Sequence, residues 1–274
     1  MGQWTLDDID WDSFDATKVD PELLKIAKAA AMVEYNGGDY AEYLCNVFSD
    51  DLEFQKAARL WAEEEVQHGR ALGKWAEMAD PEFDFEASFK RFVEGYSIPV
   101  DSEESVRGSR SGELVARCIV EVGTSSYYSA LGSACEEPVL RDICKKIAAD
   151  ELRHYKLFYS HLKRYLEHED IGKARRVMIA VSRMGETEDD ELAYAYYAAN
   201  ANGEPYDRKT ASREYMRIAY SYYRPQHVER AAAMTFKAAG LDPQSRMVQI
   251  LSRAAYGFIQ FRSKRLEQQA RAAA

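Results

Sequence analysis

Two short stretches of the sequence carry the same pair of residues at the same spacing. Leu60 to Leu72 reads L-W-A-E-E-E-V-Q-H-G-R-A-L and holds Glu65 and His68, while Ile147 to His154 reads I-A-A-D-E-L-R-H and holds Glu151 and His154. Residues three apart on an α-helix share a face, so each stretch offers one carboxylate and one imidazole to the same side. Two Glu-x-x-His pairs, with one further glutamate from each of two partner helices, form the ligand set of a carboxylate-bridged dimetal centre in a four-helix bundle. Carboxylate oxygen with neutral imidazole suits iron or manganese, and zinc is compatible with the same donors.

The two missing glutamates follow from counting. If each pair lies on a helix hairpinned to the one before it, the partner Glu sits as far before the turn as the pair sits after it. Glu34 precedes Glu65 by 31 residues, and the midpoint falls at Ser49-Asp50, residue types that cap a new helix. Glu121 precedes Glu151 by 30 residues, with the midpoint at Glu136, two residues before a Pro138 suited to a first helical turn. The expected metal ligands are therefore Glu34, Glu65, His68, Glu121, Glu151 and His154. Only five histidines occur in the chain, and two of them fall into this pattern. Four carboxylates on packed apolar faces would be strongly destabilising unless cations neutralised them.

The elements that must position these residues are all helical. Residues 1–20 read as an arm, aspartate-rich with Trp4, Trp11 and Phe14. Asp20-Pro21-Glu22 then starts a first helix towards Phe48, interrupted at Gly37-Gly38 on the face of Glu34. A second spans about Asp51 to Ala79 and stops before Pro81. The segment from Pro81 to Arg110, with its short amphipathic piece F-E-A-S-F-K-R-F-V, suits a long crossover. A third helix runs from about Gly112 to Ala134 and a fourth from Pro138 to His168. The expectation for 21–170 is a ferritin-like four-helix bundle, since such a crossover joins two hairpins in that fold. Residues 171–274 read as additional helices of the same all-α domain: Ile171 to Asn200, Lys209 to Tyr223, Pro225 to Ala239 and Pro243 to Ala273. Their tyrosines, Tyr194, Tyr196, Tyr197, Tyr220, Tyr222 and Tyr223 among them, are expected to pack on the bundle or on a dimer mate rather than carry electrons.

With 274 residues, 46% hydrophobic and 30% charged, the chain has the composition of a globular domain with a substantial core. A net charge of −10 argues against nucleic acid as a partner. No apolar run of about twenty residues and no basic, apolar leader is present, so the expectation is a cytoplasmic protein without a membrane span. The cysteines, Cys45, Cys118, Cys135 and Cys144, lack Cys-x-x-Cys spacing and read as buried thiols, so the chain has no rubredoxin-like iron centre.

The residues around the ligands resemble a known family, the soluble acyl-acyl-carrier-protein desaturases of the ferritin-like di-iron superfamily. W-A-E-E-E-V-Q-H-G-R-A-L is similar to that family's W-T-A-D/E-E-N-R-H-G-D-L-L, and I-C-K-K-I-A-A-D-E-L-R-H to its I-C-G-x-I-A-A-D-E-x-R-H. The resemblance covers roughly Asp51 to Leu166. It implies two iron ions, or a manganese–iron pair, held by Glu65, His68, Glu151, His154 and Glu121 in I-V-E-V-G-T, with Glu34 completing the set. It also implies Trp61 and Asp150 in an electron-entry path, and Thr124 as an aid to oxygen activation. An ordinary Thr hydrogen bond to a carbonyl one turn back is the competing reading for Thr124. The chain is shorter than the plant enzymes, and Tyr127-Tyr128 departs from their pattern; Tyr128 lies seven residues after Glu121 and so on its face.

The implied activity is O₂-dependent desaturation of an acyl chain carried as a thioester, with electrons from an external donor such as a ferredoxin. An acyl carrier protein is the implied partner and a homodimer the implied assembly. Lys163, Arg164, Arg175 and Arg176, with Arg153 and its neighbours, are the expected basic docking face. Competing readings are a rubrerythrin-like iron oxidase or peroxidase and a di-iron oxygenase acting on another small metabolite.

Overall fold

Each helix begins where the sequence supplies a cap. In the computed structural model, which describes residues 4–186, 190–201 and 203–273, Asp20 accepts hydrogen bonds from the Glu22 and Leu23 amides and Pro21 opens α1 (Pro21–Tyr35). Asp51 caps α3 (Leu52–Ala79), Asp84 caps α4 (Phe85–Gly95) and Ser109 caps α5 (Arg110–Ala134). Glu137 caps α6 (Pro138–Tyr165) and, fully buried, also accepts the Trp75 indole N–H at 2.7 Å and the Asp15 amide at 3.2 Å. One carboxylate thus ties the arm, α3 and α6 together.

The expected first helix is two. It breaks at Asn36, and α2 (Gly37–Val47) continues on a new axis against α3. Just after the break the chain packs closely: a Cβ on Gly37 would lie 2.6 Å from Glu65 Cβ. The glycine is needed for the approach of α2 to a candidate ligand rather than to leave empty space beside it. Gly38, by contrast, faces open space and lines a groove of about 680 Å³ between α2 and α3.

The expected Ile171 to Asn200 helix is also divided, into α7 (Lys173–Gly185) and α8 (Asp190–Asn200), while residues 187–189 lie outside the described part. α9 (Arg208–Tyr222), α10 (Pro225–Ala238) and α11 (Arg246–Ala273) complete the chain. Among the described residues there is no strand, and no helix is long and apolar enough to cross a membrane. All four cysteines are buried and unpaired.

Two antiparallel pairs form the centre: α1 lies along α3, α5 along α6, and α3 packs on α6. The α4 segment and residues 96–109 join one pair to the other. The later helices wrap this centre, α8 against α1 and α4, α7 and α10 against α5, α9 against α8, and α11 against α9 and α10. The apolar residues fall into two clusters. One gathers Ile26, Met32, Leu72, Trp75, Leu131 and Ile143; the other gathers Leu44, Phe48, Phe54, Leu114, Phe158 and Leu162. Along α3, α5 and α6 the candidate ligands sit at the junction between the two. The apolar clusters therefore clamp a short polar belt from both ends.

Candidate metal centre

Six polar side chains make up that belt. Glu34 comes from the last turn of α1, Glu65 and His68 from the middle of α3, Glu121 from α5, and Glu151 and His154 from α6. His68 is 0% exposed, Glu121 and Glu151 1%, and Glu34 and Glu65 7%, so water cannot solvate their charges. Their donor atoms fall into two overlapping groups, Glu34, Glu65, His68 and Glu151 in one and Glu65, Glu121, Glu151 and His154 in the other, with the atoms of each group within 4.8 Å of one another. Each group could hold one cation. Glu65 and Glu151 belong to both and would be shared between two cations, while Glu34 with His68 and Glu121 with His154 form the two ends.

The electrostatics fit cations. Burial first, then the charge of Glu65, holds the Glu34 carboxyl well above the usual carboxylate range, and burial together with Glu151 does the same to Glu121. Burial also opposes ionisation of Glu65, but His154 and His68 outweigh it and hold Glu65 well below that range. Both imidazoles are raised well above their ordinary value. Burial works against the charged form, but Asp150 and Glu151 beside His68, and Glu121 and Glu151 beside His154, prevail.

Protons alone leave this set incompletely paired. Glu65 Oε1, Glu121 Oε2, Glu151 Oε1 and His154 Nδ1 are buried without a hydrogen-bond partner; His154 Nδ1 lies 3.0 Å from Glu65 Oε1 but out of hydrogen-bond alignment. Native proteins seldom leave such atoms unsatisfied. The four come from α3, α5 and α6 and all belong to the Glu65, Glu121, Glu151 and His154 group, where a bound cation would satisfy them.

Outside the six, a crossed arrangement orients the imidazoles. Both histidines turn Nδ1 inward, His68 to within 3.3 Å of Glu34 and 3.4 Å of Glu151. Each donates from Nε2 to a carboxylate on the opposite helix: His68 to Asp150 at 3.1 Å and His154 to Glu64 at 2.7 Å. Asp150 immediately precedes Glu151, and Glu64 immediately precedes Glu65. Arg153 spans the two carboxylates, 2.6 Å from Asp150 and 3.0 Å from Glu64. Such partners fix the ring tautomer and raise ligand basicity.

The structure places the expected auxiliary residues as follows. Asp150 is beside the centre, but the tryptophan that meets it is not Trp61. Trp4, on the arm, donates its indole N–H to Asp150 Oδ2 at 2.7 Å and stacks on His68 with centroids 5.9 Å apart. Gln67 holds the Trp4 carbonyl at 2.8 Å. Trp61 lies edge-on to His154 at 6.4 Å, and its indole nitrogen has no partner. Thr124 donates its hydroxyl to the Val120 carbonyl at 3.0 Å, one turn back, and to none of the six ligands.

Four neighbours of the centre were not given this part by sequence reasoning. For Glu64 the available signal was its position, one residue before Glu65 as Asp150 is before Glu151. Trp4 lies far away in sequence and left no spacing to follow. Tyr128, assigned only to the face of Glu121, donates its phenol to Glu34 Oε1 at 2.7 Å. Arg153, expected on a docking face, is committed to Asp150 and Glu64; Arg164 of the same face pairs with Asp51. In comparisons with known proteins, no family model matches the chain, and no curated protein matches it.

Proposed function

We propose that this chain is a ferritin-like dimetal oxidase that activates O₂, with iron as its metal, and that it removes two hydrogens from adjacent carbons of an acyl chain held as a thioester. The observation that carries the reading is the pair of overlapping ligand groups sharing Glu65 and Glu151. α1, α3, α5 and α6 are then the bundle, and α4 with the following loop is its long crossover. The desaturase-like wording around Glu65, His68, Glu151 and His154 supports the choice of reaction among those open to such a centre.

A metal pair reduced by an external donor would pass that donor's two electrons to O₂; with two protons from solvent and the two hydrogens of the substrate, O₂ ends as two waters. The protein's part is positional. Asp150 and Glu64 keep both Nδ1 atoms aimed inward, Arg153 holds those two carboxylates in place, and the two apolar clusters keep bulk water away from the belt. Electrons from a ferredoxin-class donor would enter through Trp4, which is joined by Asp150 to His68.

The test is product mass analysis after iron-loaded, reduced protein meets ¹⁸O₂ with a mixture of acyl-carrier thioesters and free fatty acids. The expected result is one acyl species lighter by two hydrogens, with no label retained. Incorporated label would replace desaturation by oxygenation. O₂ consumption with every acyl compound unchanged would replace it by a rubrerythrin-like oxidase.

A further inference from the structure

Tyr128 belongs to the Tyr127-Tyr128 pair that departs from the pattern of the family the sequence resembles, and it reaches the candidate centre. Its ring lies in the apolar cluster with 1% exposure, among Leu131, Ile143 and Ile147. A phenylalanine would fill that space without burying a hydroxyl. The phenol is retained and satisfied by Glu34 Oε1 at 2.7 Å, and the other oxygen of Glu34 is 3.3 Å from His68 Nδ1. One hydrogen bond therefore separates an oxidisable ring from a candidate metal ligand.

The ring is also the first of a series. Tyr127 lies 5.2 Å from Tyr128 between centroids, Tyr215 on α9 lies 6.4 Å from Tyr127, and Tyr196 on α8 lies 6.3 Å from Tyr215. Tyr128 is buried, whereas Tyr196 at the far end is half-buried. Aromatic rings at such separations can exchange single electrons, and here they form a continuous line from the metal belt to the later helices.

We infer that Tyr128 is a one-electron donor to the oxidised metal centre, and that Tyr127 and Tyr215 conduct the resulting radical outward. The inference rests on the reading of the centre as an oxygen-activating metal pair. The oxidant is that pair after reaction with O₂. The Tyr128 O–H bond breaks, its proton passes along the 2.7 Å hydrogen bond to Glu34, and its electron reduces the centre by one equivalent. In the next step an electron moves from Tyr127 to Tyr128 while Glu34 returns the proton. Tyr127, itself half-buried, loses its proton to water. Such a line would remove oxidising equivalents formed when no acyl chain is present to consume them.

The test uses the full chain loaded with ferrous iron, mixed with O₂ without any acyl compound and frozen at intervals. Electron paramagnetic resonance reads organic radicals, and Mössbauer spectroscopy of the same samples reads iron oxidation. The expected result is a radical whose hyperfine structure narrows when the wild-type chain carries ring-deuterated tyrosine. It is lost in Tyr128→Phe, and in Tyr127→Phe it stays on Tyr128 and decays more slowly. Iron that oxidises fully in the wild type with no radical, or a radical that survives Tyr128→Phe, would overturn this inference and leave the dimetal reading standing. Failure of iron to bind or oxidise in the wild type would overturn both. The deuterated wild type keeps the test independent of how well the variants fold.

Discussion

The two ends of the belt are built from the same parts and set in different surroundings. At one end Glu34 and His68 meet the shared Glu65 and Glu151; at the other, Glu121 and His154 meet the same two. Each histidine is steadied by the carboxylate one residue before a shared glutamate on the opposite helix. Beyond that the symmetry stops. On the Glu34 side Asp150 continues to Trp4, and Glu34 itself takes the Tyr128 phenol. On the Glu121 side Glu64 takes Arg153, and Glu121 Oε2 makes no hydrogen bond, with His154 Nδ1 3.5 Å away. The two sets of donor atoms are alike, each able to hold a cation; the surroundings differ in that an indole and a phenol reach the Glu34 end by hydrogen bonds.

The comparison breaks most visibly if a shared ligand is removed. Glu151→Ala deletes an oxygen donor from both groups, whereas Glu34→Ala and Glu121→Ala each delete one from a single group. Metal analysis after equilibrium loading should give two ions per chain for the wild type, about one for either end variant and none or nearly none for Glu151→Ala. Equal loss in all three variants would mean that the two positions fill only together. Retention of two ions by Glu151→Ala would show that Glu151 does not bridge.

Proton release sharpens the charge argument. In the metal-free site Glu34, Glu121, His68 and His154 are all held above their ordinary range, so cations binding there would displace protons. Loading in weak buffer with an indicator dye should release protons, and affinity should rise with pH. The same groups set the stability of the metal-free protein. Each binds its proton more tightly folded than unfolded, so its contribution is complete below the unfolded value and is lost as pH rises through the raised one. Glu65, held low, acts in the opposite sense, and its contribution is lost as pH falls. Metal-free protein should therefore melt at lower temperature as pH rises above neutrality, and metal-loaded protein should not follow it. A release of one proton or none would contradict the protonation pattern.

The belt itself was legible in the sequence because helices convert spacing into geometry. Glu-x-x-His at i, i+3 fixes a face, a turn near the midpoint fixes a height, and the caps at Asp20, Asp51 and Glu137 start the helices within a residue or two of expectation. Contacts that depend on how one helix meets another were not legible. Gly37-Gly38 marked an irregularity, but not the close approach of α2 to Glu65 across the helix pair just after the break at Asn36. Local wording placed Trp61 near the ligands, where it lies edge-on to His154, but gave no sign of Trp4, which the arm brings to Asp150 from 146 residues away. Tyr128 could be placed on the face of Glu121, but its hydroxyl reaches across to Glu34 on α1. Thr124, on the same helix, instead made the short-range bond that its residue type favours.

The smallest effects should fall where the two ends differ. Asp150→Asn and Glu64→Gln each weaken the grip on one inward-facing imidazole, and loss of such a partner typically lowers metal affinity about 10–100-fold. Both variants should lower affinity, because in each the carboxylate that fixes one histidine through Nε2 is lost. Trp4→Phe should leave metal content unchanged, since the indole N–H donates to Asp150 and to none of the six ligands, and a benzyl ring can still stack beside His68. What it removes is the N–H to Asp150, and with it the bonded route from the arm to the imidazole. Stopped-flow reduction of the oxidised, metal-loaded chain by a ferredoxin-class donor should therefore slow in Trp4→Phe and Asp150→Asn, and not in Trp61→Phe or Glu64→Gln once metal occupancy is matched. Equal slowing in Glu64→Gln would show that electrons use both ends of the belt. The asymmetry around Asp150 would then serve packing of the arm rather than delivery of charge.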